Sequence, residues 1–356
     1  LARAVPPILA VGGHLKNTVC LTRGDEAFVS QHIGDLEDLR VLEFFEETIT
    51  HLTSLLDVTP ELVACDMHPD FLSTRYAEAS GLACIKVQHH HAHMASVMAE
   101  HHIDGPCLGL ALDGFGLGDD GASSWGGELL CVDGSSYRRL GHLSPLAQPG
   151  GDVAARAPWR MAAAALSALG QGEEIAKRFA KQEGASVIAA MLERGVNCPE
   201  TSSAGRYFDA ACGLLGVKAE ASYEGEAPMF LECLVTQPQV LKSGWYIDAQ
   251  NRLSVLPLLE ALCACDPVAG ANLFHGTMIA ALSQWTAQAI DQQNLPRRAV
   301  LSGGCLQNKV LAEGLIAQLA RCGIKAVLPR QVPANDGGLS LGQAWVAGQH
   351  FVEGEA

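Results

Sequence analysis

PCLGLALDGFG (residues 106–116) is a nearly unbroken apolar run ending in glycines, and WGGELLCVDG (125–134) and SYRRLGHLS (136–144) follow it. Short apolar runs bounded by glycine and aspartate read as strands joined by tight turns. The stretch decides the fold because the same order has occurred once before: PPILAVGG (6–13), NTVCLTRG (17–24) and EAFVSQHIG (26–34) open the chain. After that first set, LEDLRVLEFFEETITHLTSLL (36–56) has apolar residues at helical spacing, ELVACD (61–66) returns as a strand, FLSTRYAEASG (71–81) is a helix and ACIKVQ (83–88) a strand. After the second set comes a mainly helical stretch from about 152 to 295, interrupted near SSAGRYFDAACGLLG (202–216) and SYEGEAPM (222–229). Strand RRAVLSGG, helix NKVLAEGLIAQLARCG, strand KAVLPR and helix GLSLGQAWVAGQ close the chain. The expectation is an α/β protein of two similar lobes, 1–104 and 105–356, the second holding the helical insertion of about 152–295. Ligands of such proteins bind in the cleft between lobes.

A chain of 356 residues, 48% hydrophobic and 18% charged, has the composition of a globular protein with a large core. A net charge of -15 repels phosphate backbones and argues against unaided nucleic-acid binding. No apolar run reaches the length of a membrane span, and the N-terminus has no signal-peptide pattern, so a cytoplasmic protein is expected. The twelve cysteines lie in apolar contexts without a CxxC pair, which fits buried thiols in a reducing compartment; Cys263 and Cys265 form a CxC, too few ligands for a metal.

VQHHHAH (87–93) places His89 and His93 four apart after a strand, on one face of a helix start, where two imidazoles can share a metal ion. Solvated or core histidines are the alternative. A metal needs further ligands, and Asp113, closing the strand CLGLALD, and Asp336, in the turn PANDGGLSLGQ, are carboxylates suited to the same cleft. Each also has a local explanation, Asp113 as a turn initiator and Asp336 as an N-cap. The glycine turns DGFGLGDDG, with Gly114 and Gly116, SGGCLQN and YEGEA expose backbone amides that can approach phosphate or ribose. DGFGLG precedes a hairpin instead of a helix, so it is no dinucleotide fingerprint, and there is no GxxxxGK[ST]. Lys16, in GGHLKNT, is placed to hold an anionic group if the first hairpin faces the cleft; a solvated lysine is the alternative.

Taken together, GGHLKNTVCL, SQHIGDLED, VQHHHAHMASVMAEH, LALDGFGLGDDG, QPGGDVAARAPWR, RYFDAACGLLG, YEGEAPM, LSGGCLQNKVL and NDGGLSLGQA resemble, end to end, the C-terminal Kae1-like domain of the HypF carbamoyltransferase family. The resemblance implies an actin-like (ASKHA) fold of two ribonuclease-H-like lobes with a central cleft. It also implies transfer of a carbamoyl group from carbamoyl adenylate to the C-terminal cysteine of the partner HypE, for the cyanide ligand of nickel–iron hydrogenase. Carried over by motif, His89 and His93 are metal ligands, with Asp113 and Asp336 as further candidates for iron or zinc. Read from their places in the cleft, Lys16 and Asp113 are the catalytic candidates. Asp209, Gly225, Gly303, Gly304 and Asn308 match nucleotide-contacting positions. The tRNA-modifying relatives have Asp-Asn-Gly where this chain has Asn335-Asp336-Gly337; Asp336 is the expected ligand because a carboxylate suits a divalent cation better than an amide does. Complete members carry acylphosphatase, zinc-finger and YrdC-like domains upstream, so the sequence given is expected to transfer the group without making its activated donor. A Kae1/TobZ-like (threonyl)carbamoyl transferase using another acceptor, and a nucleotide-binding scaffold without chemistry, are the alternatives.

Overall fold

The computed structural model describes residues 1–354. Its first part runs β1 (Ile8–Ala10), β2 (Cys20–Arg23), β3 (Glu26–Val29), α1 (Leu39–Leu56), β4 (Leu62–Asp66), α2 (Leu72–Ala79), β5 (Ala83–Val87) and α3 (His89–Glu100). Local chemistry sets several boundaries. Asp38 caps α1 by accepting from the Arg40 amide at 2.9 Å, and Gln88 caps α3 by accepting from the amides of His90 and His91. The strands pair in the order β3-β2-β1-β4-β5, antiparallel through the first three and parallel from β1 to β4 and β5.

The same arrangement follows with β6 (Cys107–Leu117), β7 (Ser124–Asp133) and β8 (Ser136–Leu143). After β9 (Leu146–Ala147), the insertion holds α4 (Pro158–Ala168), α5 (Ile175–Arg178), α6 (Ala185–Arg194), β10 (Glu200–Thr201), α7 (Ala204–Leu214), α8 (Glu226–Cys233), β11 (Tyr246–Ile247), β12 (Arg252–Ser254), α9 (Leu256–Leu262) and α10 (Pro267–Gln293). The chain closes with β13 (Arg298–Ser302), α11 (Lys309–Arg321), β14 (Lys325–Val327) and α12 (Leu339–Gly354). The central order β8-β7-β6-β13-β14 repeats that of the first sheet, again antiparallel through three strands and parallel thereafter. Two ribonuclease-H-like sheets in one chain make the expected actin-like α/β fold.

Between the sheets lie α3 and α12. Helix α3 packs on β6, β7 and β13, while α12, from the end of the chain, packs on β1, β2 and β4. The two helices touch at Gly342, where a Cβ would stand 1.9 Å from the Ala92 carbonyl oxygen, so only glycine permits the approach. Met94, Val97 and Met98 of α3 and Trp345 of α12 are buried in the shared core. At about 1.5–3 kcal/mol for each fully buried large side chain, this layer is a main source of lobe cohesion. It also explains why α3 has no solvent face and why its first residues, all polar, are buried.

Three local readings need correction. SSAGRYFDAACGLLG is not a break in the helical stretch: Ser203 caps α7, and every residue of that helix is buried, Arg206 and Asp209 included. The insertion is not wholly helical either, since β12 pairs parallel with β8 and β11 pairs with β12, extending the second sheet. Asp113 does not close its strand; β6 continues to Leu117, and the register with β7 breaks between Leu112 and Gly116. Such a bulge re-aims side chains without ending the strand.

Candidate metal and nucleotide site

The bulge in β6 turns Asp113 toward the start of α3. Its Oδ2 lies 2.9 Å from His93 Nε2 and 3.3 Å from His89 Nε2, and its Oδ1 accepts from the Gly304 amide at 2.9 Å. Asp336, on the loop before α12, brings Oδ1 to 3.8 Å from His89 Nε2 and 3.7 Å from His93 Nε2. One ligand atom from each of these four residues lies within 4.8 Å of the others. Asn335 is turned away: its side chain accepts from the Gly337 amide and caps the short turn that Asp336 begins. The capping role expected of Asp336 therefore belongs to its neighbour, which leaves the Asp336 carboxylate free to face the imidazoles.

Charge explains why the four converge. Burial alone would depress His89, but Asp66, Asp113 and Asp336 outweigh it and hold the imidazole well above its usual range. Burial would likewise raise Asp113, yet His93 and His89 hold its carboxyl well below the ordinary carboxylate value. The other two histidines of VQHHHAH behave differently. Burial lowers both, His91 to about 4, and their Nε2 atoms have no hydrogen-bond partner among the described residues. They are neutral core side chains: His90 Nδ1 meets Gln88 Nε2 at 3.2 Å, and the His91 ring packs against Tyr137.

Sequence reasoning missed Asp66, the last residue of β4. Its Oδ2 lies 2.7 Å from His89 Nδ1, with both side chains buried, and its Oδ1 accepts from the His68 amide. A carboxylate behind one imidazole nitrogen fixes the tautomer that presents the other to a metal. Its position at the carboxyl end of a parallel strand, in ELVACD, was the available signal. Ser302 Oγ lies 3.4 Å from His93 Nδ1 in the equivalent place.

A cavity of about 390 Å³ adjoins the cluster and shares Asp113 and Asp336 with it. Lys16, Gly114, Asp209, Gly225, Gly304 and Asn308 line it, with Phe208, Pro228 and Met229 supplying an apolar wall. Gly116 and Gly303 do not line it. A Cβ at Gly116 would stand 2.4 Å from His90 Cε1, and one at Gly303 2.3 Å from the Leu112 carbonyl, so both glycines serve close packing. Lys16 reaches across the cleft to pair with Glu224, a partner the sequence did not suggest. Asp209 lies 2.9 Å from Arg206, but burial dominates and pushes its carboxyl up to about 6. Asn308 caps α11 through the Leu311 amide and donates to His275 Nε2 at 3.0 Å, so most of its amide is engaged internally. Cys305 also lines the cavity, and burial pushes its thiol well above the ordinary range, which disfavours the thiolate.

Family models match both parts of the chain: "HypF Kae1-like domain" over residues 3–100 and "Carbamoyltransferase, Kae1-like Domain, second subdomain" over residues 109–343. Carbamoyltransferase HypF2 of Cupriavidus necator is 50% identical over 98% of this chain, which spans 47% of that protein. A carbamoyltransferase HypF homolog of the same organism is 44% identical, over 96% of this chain and 91% of its own length. The crystal structure of full-length HypF in a phosphate- and nucleotide-bound form superposes with a TM-score of 0.93 at 36% identity, covering 100% of this chain and 48% of that one. The chain thus spans about half the length of the first relative and of the crystallised protein.

Proposed function

The chain belongs to the HypF family as its Kae1-like carbamoyltransferase domain, and from that premise we propose that it transfers a carbamoyl group from carbamoyl adenylate to the C-terminal cysteine of a HypE partner. The observation that carries this reading is the sharing of Asp113 and Asp336 between the four-ligand cluster and the cavity. A cation held there would stand beside whatever the cavity binds.

The donor set fits a divalent ion. Two imidazoles and two carboxylates converge, and Asp66 holds His89 Nδ1 so that Nε2 is available. His89, His93, Asp113 and Asp336 would hold iron or zinc, which when bound supplies Lewis acidity toward carbamoyl or phosphate oxygens. The chain's own groups do the rest. Gly114, Gly225 and Gly304 line the cavity without side chains, so the donor can lie against backbone, while Phe208, Pro228 and Met229 offer apolar surface to a base. Asp209, which lines the cavity with its Oδ2 2.9 Å from Arg206, suits a ribose hydroxyl. Lys16 offers a positive charge to the phosphate once Glu224 releases it. With the donor oriented, the acceptor cysteine as its thiolate forms the new S–C bond, the C–O bond to the phosphate breaks with its electron pair staying on that oxygen, and AMP leaves. No nucleophile from this chain is required.

The twelve free thiols support a reducing compartment, and no helix among the described residues is long and apolar enough to cross a membrane.

The test supplies carbamoyl adenylate, made by a separate YrdC-like domain, to the purified chain with a HypE tail peptide, tRNA or small hydroxyl acceptors. The expected product is the peptide heavier by one carbamoyl group on its terminal cysteine. Transfer only to tRNA or hydroxyls would favour the Kae1/TobZ-like reading, and nucleotide binding without transfer the scaffold.

A further inference from the structure

Helix α3 carries His89 and His93 in its first two turns and Glu100 at its last position. The Glu100 carboxylate holds a loop. Oε2 accepts from the amides of Arg330 at 2.6 Å and Gln331 at 3.3 Å, and Oε1 from Gln331 at 3.1 Å and Val332 at 2.7 Å. Three successive backbone donors meet one acceptor side chain, a charge-assisted arrangement. The same loop reaches Asp336 a few residues later. The loop has further ties: His101 Nε2, at the C-cap of α3, lies 2.8 Å from the Leu328 carbonyl, the Ala334 carbonyl accepts from the Gly303 amide at 2.8 Å and from Ser302 Oγ at 3.2 Å, and the Gly337 carbonyl accepts from Thr18 Oγ1 at 2.9 Å.

Asp336 is the ligand candidate on a single 3-10 turn at the end of a loop, whereas the other three sit on an α-helix or a β-strand. A side chain on such a segment keeps its place only if the segment is tied down, and a site loosened by a fraction of an ångström loses affinity. We propose that Glu100 is a positioning residue for the cation site, locking the loop that carries Asp336 to the helix that carries both imidazoles. One rigid rod would then carry both imidazoles at its N-terminal end and, from its C-terminal end some 18 Å away at about 1.5 Å per residue, anchor the loop that brings Asp336 back to them, while Asp113 is held by β6. The inference rests on the reading of His89, His93, Asp113 and Asp336 as a cation site.

Zinc serves as the probe. Chelator-stripped wild type, Glu100→Ala, Asp336→Asn and the double variant are titrated against a chromophoric zinc chelator. Glu100→Ala should raise the zinc dissociation constant about 10-fold or more, as loss of a supporting contact does. In the double variant, loss of Glu100 should add nothing beyond Asp336→Asn, because the two residues act through one ligand. Purely structural support would lower the melting temperature and leave zinc affinity alone, or would add in full to the effect of Asp336→Asn; either result overturns the proposal. If Glu100→Ala does not fold, the isosteric Glu100→Gln is read in the same way. Wild type that binds no zinc, or binds it as well after Asp336→Asn, removes the cation-site reading itself and this inference with it; a zinc-binding wild type indifferent to Glu100 removes the inference alone.

Discussion

Asp66 Oδ2 and His89 Nδ1 lie 2.7 Å apart with both side chains 1% exposed, joining the end of β4 to the first residue of α3. If His89 ligates through Nε2, the Asp66 carboxylate orients the ring and raises its basicity. Asp66→Asn should therefore lower metal affinity by roughly 10–100-fold while nucleotide binding persists, as read by chelator competition and calorimetry. Unchanged affinity would remove His89 Nε2 from the ligand set.

Asn335 and Asp336 should separate cleanly. Asn335→Ala loses the cap on the Gly337 amide, costs about 1 kcal/mol of stability and retains metal. Asp336→Asn keeps the backbone geometry and loses metal. Elemental analysis beside thermal melts distinguishes them, and the reverse pattern would move the ligand to Asn335.

Lys16 and Glu224 form an ion pair across the cleft that is partly open to water, so breaking it should cost less than about 1 kcal/mol. Binding should respond in opposite directions. Lys16→Ala should weaken AMP, and Glu224→Gln should tighten it by freeing the ammonium for the phosphate. Calorimetric titrations of both variants decide, and weakening in both would make Glu224 a contact for the ligand.

Asp209 titrates at 3.8 in an open chain and near 6 when buried. Between those values the folded protein binds the extra proton, so this group favours folding in acid, and its full penalty applies above pH 6. Asp209→Asn should stabilise the protein at pH 8 by on the order of 1–3 kcal/mol, with the gain shrinking toward pH 4. His275 opposes this in the wild type: burial lowers it from 6.5 to about 4, so its contribution is complete above pH 6.5 and declines below. The variant-minus-wild-type difference in denaturant melts isolates Asp209. The same substitution should weaken AMP binding.

Cys305→Ala should leave carbamoyl transfer near the wild-type rate, since burial keeps that thiol protonated. Loss of transfer in a folded variant, with a carbamoylated Cys305 trapped by mass spectrometry in the wild type, would establish a covalent intermediate instead.

Much of the site was legible because its signals are local. Four-residue spacing puts His89 and His93 on one helix face whatever surrounds it, and SGGC marks a strand end by glycine alone, whereas DGFG lies inside β6 at its bulge. Gly116 and Gly303 show the limit of that reasoning. A glycine that admits a ligand and one that admits a neighbouring ring or carbonyl look alike in sequence, and here the His90 ring and the Leu112 carbonyl occupy the space. Helix α7 was obscured by the glycines and charged residues in its sequence, Gly205, Arg206, Asp209 and Gly213, all of which the structure buries.

By itself the sequence determined the duplicated strand–helix order, and hence the two sheets, because hydrophobic periodicity and turn residues act over a few positions. It also determined the pairing of His89 with His93. Only the tertiary structure decided that Asp66 stands behind His89, that a bulge turns Asp113 inward, that Asn335 caps while Asp336 faces the imidazoles, and that Glu224 answers Lys16 across the cleft. Those relationships join residues tens to hundreds of positions apart, and they exist only once the α3 and α12 layer has brought the two sheets together.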